Sequence, residues 1–385
     1  MRQSSKSSLS ESESGISGVE AVARKLRVAV LGATGMVGQR FITLLENHPW
    51  FEVAVVAASV RSAGMPYAKV MKKRWIMPQP IPTNVSSMLV RDVGDLGLVD
   101  SIASEVDLAF CAVDMPKQST AELEVACAMA ELPVVSNTSA HRSTPDVPVV
   151  IPEVNPTHLS IIPHQRKRMR VTRGFIVSKP NCSLQSYVPT IHPLMDLRPK
   201  CVAISTYQAL SGAGKTARTW SEMNDNIIPF IKDEEEKSEQ EPMKIWGHID
   251  RNVITPSARP VISAQCVRVP VSDGHMATVS VGFERCPLRE DILSRWNDFV
   301  GLPQRYGLPS APKPFINYFD DADRPQTRLD RDICGGMGIA VGRLRGDQVF
   351  DFRFVALSNN AVRGAAGGSI LTAELLVHDG YITPK

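Results

Sequence analysis

Residues 26–38 read LRVAVLGATGMVG, and this stretch decides the fold class. Its first six residues form a short apolar run, which is typical of a buried strand. Its glycines follow the spacing G-x-x-G-x-x-G: the first two permit a tight turn against a phosphate, and the third lets a helix pack on the strand. A helical pattern then ends at His48-Pro49, and residues 51–58 read as a second strand. We therefore predict a β-α-β unit that opens a doubly wound, dinucleotide-binding domain.

The end of the second predicted strand distinguishes NAD from NADP. An NAD site usually places Asp or Glu there to bind the ribose hydroxyl. Here residues 57–64 read AASVRSAG, which contain no carboxylate but supply hydroxyl donors and a positive charge suited to a 2′-phosphate. The expected cofactor is therefore NADP. The residues predicted to bind it in this part of the chain are Gly32, Thr34, Gly35, Met36, Val37, Gly38, Ser59, Arg61 and Ser62.

The pattern of predicted strands and helices differs between the two halves of the chain. Up to about residue 180, apolar strands alternate with helical patterns, which predicts a mostly parallel sheet. Beyond it, the strand patterns indicate a largely antiparallel second sheet with helices on one face. We thus expect the α/β class, with a Rossmann-type domain followed by an α+β domain built on a mixed, largely antiparallel sheet. The expected division is a disordered, serine-rich tail at 1–25, the NADP-binding domain at 26–180, the second domain at 181–358, and a C-terminal helix within 359–385 that returns to the first domain.

Composition excludes several function classes for this sequence of 385 residues. Lys+Arg 43 against Asp+Glu 40 argues against nucleic-acid binding, and no apolar run is long enough to span a membrane. The seven cysteines are scattered without a C-x-x-C pair, so we expect neither a disulfide framework nor a metal site, but reduced thiols in the cytoplasm. The basic run at 166–170 is interpreted as a solvated loop, and the acidic run at 233–236 as a solvated helix face unless it serves a site.

Cys182 is the candidate nucleophile. It lies in SKPNCS, residues 178–183, between an apolar run and a segment that can begin a helix. A thiol there faces the helix dipole and unpaired backbone N–H groups, which is expected to lower its pKa and expose a reactive thiolate. His275, 93 residues later in RVPVSDGH at 268–275, is the candidate base because an imidazole with a pKa near 7 suits proton transfer.

Several motifs together resemble the aspartate-β-semialdehyde dehydrogenases of the archaeal and fungal branch, over about residues 26–380. These motifs are GATGMVG at 32–38, SVRSAG at 59–64, PNCS at 180–183, QALSGAG at 208–214, RVPVSDGH at 268–275 and NAVRGAAG at 360–367. The resemblance implies that Cys182 is acylated and that His275 is the acid and base. It also implies a second, catalytic domain that dimerises, and a homodimer or homotetramer.

The same resemblance implies a role for each candidate substrate residue. Arg268 matches the family arginine that binds the substrate carboxylate, and Gln208 the glutamine that positions the substrate. Glu234 and Lys237 fit the family pattern Glu-Glu-x-Lys, in which the Glu binds the amine and the Lys the phosphate; Arg142 is the best match to a second phosphate ligand. Asn181 and the backbone N–H of Cys182 are expected to stabilise an oxyanion. Ser211, Gly212 and Asn360 are expected to flank the nicotinamide.

The implied reaction is the NADPH-dependent reduction of L-aspartyl 4-phosphate to L-aspartate 4-semialdehyde and phosphate through a cysteine thioester. It belongs to the biosynthesis of lysine, threonine and methionine, with small molecules and phosphate as the only expected partners. N-acetyl-glutamyl-phosphate reductases typically carry Pro-Gly-Cys, which residues 180–182 do not match. A related acyl-thioester reductase such as malonyl-CoA reductase stays open as an alternative, because it shares the Cys, His and NADP elements. An alternative of another class is a non-catalytic NADP-binding regulator.

Overall fold

The computed structural model describes residues 24–385. The tail predicted to be disordered, residues 1–25, therefore lies outside the described residues except for its last two positions. Within residues 24–385, no helix has both the length and the apolar character needed to cross a membrane.

Six parallel strands form the first sheet, in the order β3-β2-β1-β4-β5-β6. The strands are β1 (Leu26–Leu31), β2 (Phe51–Ala58), β3 (Arg91–Asp92), β4 (Leu108–Cys111), β5 (Val134–Ser136) and β6 (Ile176–Ser178). The strand order reverses between β1 and β4, and ligands of doubly wound sheets bind in the crevice at this point. The predicted Rossmann-type sheet is confirmed.

Helices connect these strands and cover both faces of the sheet. They are α1 (Met36–Leu45), α2 (Tyr67–Met71), α3 (Thr83–Ser86), α4 (Val99–Glu105), α5 (Lys117–Met129) and α6 (Ile162–Met169). The basic run at 166–170 was expected to be a solvated loop, and the loop is wrong, because residues 166–169 form the last turn of α6 and Arg170 is its C-cap. Lys167, Arg168 and Arg170 are exposed to solvent, as expected. Arg166 donates to the carbonyl of Tyr381 at 2.8 Å, and Arg168 pairs with Asp146. Hydrogen bonds of the guanidinium groups to nearby acceptors stabilise the helix there.

The second sheet has the order β10-β7-β11-β14-β13-β12 and is mixed, with three antiparallel and two parallel pairs. Its strands are β7 (Pro199–Gln208), β10 (Val261–Arg268), β11 (His275–Phe283), β12 (Ile316–Phe319), β13 (Ile339–Gly346) and β14 (Phe352–Ser358); β8 (His248–Asp250) and β9 (Val253–Thr255) form a separate hairpin. The prediction of a mixed, largely antiparallel sheet is confirmed.

Helices pack against this sheet and complete the second core. They are α7 (Leu184–Ile191), α8 (Glu234–Ile245), α9 (Arg289–Asp298), α10 (Leu302–Tyr306) and α11 (Thr327–Asp330). Tyr187 of α7 and Trp296 of α9 are fully buried among the apolar side chains of β7, β11 and β14. Burial of one large aromatic side chain contributes about 2–3 kcal/mol, so these residues anchor the helices to the sheet.

The last helix of the described chain returns to the first sheet. α12 (Gly367–His378) follows a single π-helical turn at Val362–Ala366, and its apolar residues share a core with β1 and β4. Ile370 and Leu375 are almost completely buried there beside Phe110. The helix therefore ties the segment after β14 to the dinucleotide-binding sheet.

Candidate active site

The register of the second sheet brings three predicted site residues to one edge. β7 and β10 run in parallel and end together at the pair Gln208 and Arg268. β11 runs in the opposite direction against β7 and begins with His275, and its next residue, Met276, pairs with Tyr207. Residues far apart in the sequence are therefore neighbours because strand ends meet at one edge of the sheet.

Gly212 covers this edge. A Cβ atom placed on Gly212 would lie 2.8 Å from Nε2 of His275 and 2.8 Å from Nη1 of Arg268. A side chain at this position would displace the Arg268 and His275 groups, so glycine lets the 208–214 loop pass directly over them. Arg268 also donates from Nη1 to the Ala209 carbonyl at 2.6 Å, which holds the guanidinium under the loop.

Cys182 lies in the turn between β6 and α7, at the strand-to-helix junction that the sequence predicted. The π-helical turn approaches it closely, because a Cβ atom placed on Gly364 would lie 2.8 Å from the Cβ of Cys182. π-Helical turns are rare and often lie at functional sites. The backbone N–H of Cys182 has no acceptor among the residues of the described chain, 24–385, so it is free to bind an oxyanion.

A cavity of about 360 Å³ between the two sheets contains Cys182. One wall comes from α1 through Met36 and Val37, and another from Ser211 and Gly212. Asn360 also lines it and joins the walls: its Nδ2 donates to Ser211 Oγ at 2.9 Å, and its Oδ1 accepts from the Gly274 N–H at 2.8 Å. These residues were predicted to flank the nicotinamide or to bind the cofactor, and they share the cavity with the candidate nucleophile.

A second cavity, about 700 Å³, lies over the glycine turn. Predicted cofactor residues line it together with others that the sequence reasoning missed. The predicted ones are Gly32, Thr34, Gly35, Ser59 and Arg61, and the missed ones include Arg74 and Asp92. Two predicted cofactor residues, Gly38 and Ser62, line neither cavity. A Cβ atom on Gly38 would lie 2.2 Å from the Gly32 carbonyl oxygen, so close packing of α1 against the turn requires glycine here. Ser62 is buried.

The glycine turn has the features that a dinucleotide requires. Gly32 has a φ of +89°, and a Cβ atom there would lie 2.3 Å from the Ala112 carbonyl oxygen, so only glycine fits. No side chain caps the N-terminus of α1, and its first turn contains no acidic residue. The first N–H groups of α1 therefore stay available to a pyrophosphate.

Gln39 holds the backbone of Arg74 beside this turn, because its Nε2 also donates to the Thr34 carbonyl at 3.2 Å. Nε2 of Gln39 donates to the Arg74 carbonyl at 3.1 Å, and Oε1 of Gln39 accepts from the backbone N–H of Ile76 at 2.9 Å. The Tyr67 hydroxyl donates to the Ala33 carbonyl at 2.8 Å, within the turn itself. Two arginines, Arg61 and Arg74, thus face one cavity without an ion pair to any residue of the described chain, 24–385.

Glu234 is the centre of a buried polar cluster. Its two oxygens accept from Nε2 of Gln208 and from Nδ2 of Asn181, both at 3.0 Å, and Nζ of Lys237 lies 3.8 Å away. The solvated helix face expected for the acidic run is therefore wrong for Glu234, which is 6% exposed. The packing of α8 against β7 and β10 removes this carboxylate from water. Hydrogen bonds from Gln208 and Asn181 compensate for the lost hydration.

Glu241, which the sequence reasoning missed, connects the candidate phosphate ligand to the nucleophile turn. Its Oε1 accepts from Nη1 of Arg142 at 3.0 Å and its Oε2 from the N–H of Asn181 at 2.7 Å. Arg142 also donates from Nε to the Lys179 carbonyl at 2.9 Å. Arg142 lines the Cys182 cavity. It also lines a third cavity, of about 620 Å³, together with Lys237 and Glu241. The two predicted phosphate ligands, Arg142 and Lys237, therefore share this third cavity.

The expected low pKa of Cys182 is wrong. Burial and the charge of Glu234 raise the pKa of the thiol to about 11, although Lys179, Arg142 and Arg268 act in the opposite direction. The helix dipole of the short α7 is a local effect that the sequence can reveal. Desolvation by the surrounding fold is a larger effect that the sequence could not reveal. Without ligands, Cys182 is therefore a thiol at neutral pH.

The pKa near 7 expected of His275 is also wrong. Burial and the charge of Arg268 lower the pKa of the imidazole to about 3. Nδ1 accepts from the Ala209 N–H at 3.1 Å, so the proton of the neutral ring is on Nε2. Nε2 is buried and has no partner within residues 24–385. It faces Gly212.

No group of three or more potential metal-ligating side chains lies within the described residues, 24–385. All seven cysteines are unpaired.

Comparisons with known proteins agree along the chain. Residues 27–162 match the family described as "Semialdehyde dehydrogenase, NAD binding domain", and residues 191–363 match "Semialdehyde dehydrogenase, dimerisation domain". The chain is 44% identical over 354 residues to an aspartate-semialdehyde dehydrogenase of Methanothermobacter thermautotrophicus, covering 91% of this chain and 99% of that protein. It is 41% identical over 365 residues to that of Schizosaccharomyces pombe, with coverages of 92% and 99%.

Solved structures give the same result. The Candida albicans aspartate semialdehyde dehydrogenase with NADP superposes with a TM-score of 0.83 at 35% identity, over 93% of this chain and 100% of that one. Aspartate semialdehyde dehydrogenase II of Vibrio cholerae, solved in complex with ASA, gives 0.70 at 26% identity, with coverages of 93% and 100%.

Proposed function

This chain belongs to the aspartate-semialdehyde dehydrogenase family, and on that premise we propose how its residues reduce L-aspartyl 4-phosphate with NADPH. It is an NADP-dependent oxidoreductase of aspartate-family amino-acid biosynthesis. The observation that carries the assignment of residues is the meeting of Gln208, Arg268 and His275 at one sheet edge, under the loop that lines the Cys182 cavity.

Arg268 and Glu234 bind the two charged ends of the aspartyl group. The guanidinium of Arg268 binds the α-carboxylate in two-point fashion, and the carboxylate of Glu234 binds the amine. Gln208 already donates to Glu234, which fixes the carboxylate for that contact. Both charged groups are nearly buried, so a ligand that lacks either charge leaves its partner unpaired in a low dielectric.

Arg142 and Lys237 bind the phosphate. Both cations face carboxylates, Glu241 and Glu234 respectively. A phosphate dianion takes over these contacts when the substrate binds, and the cations then stabilise it as it leaves.

Cys182 acts as the nucleophile. Its sulfur attacks the acyl carbon, and the carbonyl oxygen becomes an oxyanion. The backbone N–H of Cys182, the Asn181 side chain and Nε2–H of His275 are donors for that oxygen. Collapse of the adduct breaks the carbon–oxygen bond to phosphate and leaves a thioester on Cys182.

The second half-reaction needs the cavity beside Cys182. Met36, Val37, Ser211, Gly212 and Asn360 line this cavity and would hold the nicotinamide of NADPH, which would supply the hydride. The Nε2–H group of His275 donates a hydrogen bond to the alkoxide of the tetrahedral adduct, and the alkoxide electron pair re-forms the carbonyl. The carbon–sulfur bond breaks, the semialdehyde leaves, and Cys182 regains a proton.

Arg61 and Arg74 together bind the 2′-phosphate of the cofactor. Ser59 and Thr34 line the same cavity, and the N-terminus of α1 is open to the pyrophosphate. Two guanidinium groups without carboxylate partners provide the charge that distinguishes NADP from NAD.

The chain is further proposed to divide into domains near residue 180 and to assemble as a cytoplasmic homodimer or homotetramer. The match of residues 191–363 to a dimerisation domain supports assembly, and the seven unpaired cysteines support a reducing compartment.

One assay tests the proposed function. NADPH formation is followed with L-aspartate 4-semialdehyde, with and without inorganic phosphate, and in parallel with malonate semialdehyde plus coenzyme A. We expect a phosphate-dependent signal in the first arm. Faster turnover in the coenzyme A arm would instead assign the malonyl-CoA reductase activity.

A further inference from the structure

The π-helical turn at Val362–Ala366 lies directly against the nucleophile. A Cβ atom placed on Gly364 would lie 2.8 Å from the Cβ of Cys182 and 3.3 Å from its Cα, so no space separates the turn from the backbone that carries the sulfur. Gly364 and Ala365 also line the Cys182 cavity. The position of this turn therefore determines where the sulfur can lie.

Regular α-helical hydrogen bonding does not hold this turn. Ala365 departs from helical dihedral angles, with φ −136° and ψ −110°, and the N–H of Gly364 donates to the Asn359 carbonyl at 2.8 Å. The Asn359 side chain accepts from the N–H groups of Ala361 at 3.0 Å and Val362 at 2.9 Å. Asn359 thus fixes where the turn begins, whereas the later residues of the turn need a second anchor.

Arg363 is this second anchor, and it is fully buried. Its Nη1 donates to Oε1 of Glu153 at 2.7 Å, and its Nη2 donates to Oε2 of the same carboxylate. Its Nε donates to Oε1 of Gln185 at 3.1 Å, and the centroid of the Phe315 ring lies 4.7 Å from its Cζ. A planar guanidinium that donates in three directions has one orientation, so the side chain cannot turn without losing these contacts.

The partners of Arg363 connect the π-helical turn to the other side of the nucleophile. Gln185 lies in the first turn of α7, soon after Cys182, and is almost completely buried. Its backbone N–H donates to the Cys182 carbonyl at 3.4 Å. Glu153, in the segment between β5 and α6, is 3% exposed. One buried guanidinium therefore joins the turn that covers the nucleophile to the helix that begins after it.

Stability alone does not explain an ion pair at this position. Removing two charges from water is costly, and replacing a buried pair with apolar side chains of similar size is often neutral or stabilising. Neither Arg363 nor Glu153 lines the Cys182 cavity, so the pair is not placed to bind the substrate or the nicotinamide. What the pair adds is a set of directional hydrogen bonds, which apolar side chains lack.

We propose that Arg363, held by Glu153, is a positioning residue that joins the π-helical turn to α7 and so sets the direction in which the sulfur of Cys182 meets the acyl carbon. This role rests on the proposed function of Cys182 as the nucleophile. Without the joint, the sulfur and the carbon are misaligned, and a displacement of about 1 Å can lower a rate about a hundredfold. The binding of substrate and cofactor should stay nearly unchanged.

Oxidation of L-aspartate 4-semialdehyde by NADP⁺ without phosphate tests this role. The reaction then stops at the thioester, so the amplitude of NADPH formation counts the competent sites and its rate constant reports the chemistry. Glu153→Leu/Arg363→Met replaces the pair with apolar side chains and leaves the net charge unchanged. We expect the wild-type amplitude, a maximal rate constant about 10-fold to 100-fold lower, and half-saturating concentrations within about twofold of the wild type.

A matched control and a second variant accompany the double substitution. Arg324→Met/Asp330→Leu removes another ion pair with a buried carboxylate, outside the Cys182 cavity, and should keep the wild-type rate constant. Gln185→Leu removes only the contact between Arg363 and α7. It should lower the rate constant about threefold to tenfold at full amplitude, and it decides the matter if the double variant fails to fold.

The outcomes separate positioning from folding and from binding. An unchanged rate constant in the double variant overturns the proposal, because the sulfur is then aligned without the pair. A smaller amplitude with an unchanged rate constant assigns the pair to folding alone, and higher half-saturating concentrations with an unchanged maximal rate assign it to binding. Either result also overturns the proposal. A wild-type protein that forms no NADPH without phosphate overturns the thioester mechanism itself, which distinguishes the two failures.

Discussion

The carboxylate of Glu241 accepts the backbone N–H of Asn181 at 2.7 Å, directly before the nucleophile. Its other oxygen binds Arg142. An internal anion thus holds two groups that are proposed to serve the substrate: the arginine that binds phosphate and the turn that carries Cys182. The ligand must displace this carboxylate or share the cation with it.

Glu241→Gln should therefore bind phosphate more tightly. The amide oxygen can still accept one hydrogen bond, but the negative charge beside the phosphate is gone. If the carboxylate weakens phosphate binding by about 1 kcal/mol, its removal lowers the KM for phosphate roughly fivefold in the oxidative direction. Steady-state kinetics with varied phosphate measure this. Glu290→Gln, which changes an exposed carboxylate of α9 outside this cavity, is the control. A raised KM in Glu241→Gln would contradict the competition.

Cys182→Ser should lower kcat by about a thousandfold or more, because a serine hydroxyl is a much weaker nucleophile without an activating base. Single-turnover reduction of aspartyl phosphate measures the loss. Cys286→Ser removes an exposed thiol and should leave the rate unchanged. Near wild-type turnover in Cys182→Ser would end the thioester mechanism.

Arg74→Leu should raise the KM for NADPH while leaving that for NADH nearly unchanged. A charge-assisted contact to the 2′-phosphate contributes about 1.5–3 kcal/mol, which corresponds to about 10-fold to 100-fold. Arg61→Leu should behave in the same way. Lys73→Leu removes a neighbouring exposed charge and serves as the control. An equal loss with both cofactors would assign Arg74 to the pyrophosphate instead.

His275 should make the protein less stable in acid. Its pKa is depressed to about 3, so between that value and its ordinary value near 6.5 the unfolded chain binds more protons than the folded one. Above about pH 6.5 this group does not lower the free energy of unfolding, and the free energy of unfolding decreases as the pH falls through this window. At about pH 4.5 the deficit is about 2–3 kcal/mol relative to pH 7.

His275→Gln should remove part of that acid sensitivity, as urea unfolding at the two pH values would show. His248→Gln, which changes an exposed histidine of β8, should keep it. His192, whose pKa burial lowers to about 4, contributes in the same direction and accounts for sensitivity that persists in the His275 variant. An unchanged pH dependence after substitution of His275 would mean that the imidazole is not buried in solution.

Much of the fold could be predicted because local signals specify it. The glycine spacing at 32–38 and the apolar runs around it predict a β-α-β unit, and the change in strand pattern after residue 180 predicts a second sheet of another kind. The end of the 51–58 strand, which lacks a carboxylate, correctly indicated NADP. Each of these depends on residues close together in the chain.

What the sequence could not reveal depends on tertiary packing. The pKa of Cys182 is decided by desolvation and by Glu234, which is 52 residues away, and not by the helix that follows it. The arginine at 74 lies in a stretch without a recognisable motif and reaches the glycine turn only because Gln39 holds its backbone. The buried side chain of Lys179 packs against Gly368 of the last helix, and no local pattern connects the two.

The burial of α12 in the core of the first sheet has a consequence for synthesis. During translation, β1 and β4 leave the ribosome long before Gly367–His378. The apolar face of the first sheet that α12 covers therefore stays exposed while the second domain is synthesised. The nascent chain is then exposed to aggregation and is a natural client of holding chaperones. Maturation is thereby delayed until the segment that touches the nucleophile has emerged, and a polypeptide interrupted before α12 should accumulate as an insoluble, inert fragment.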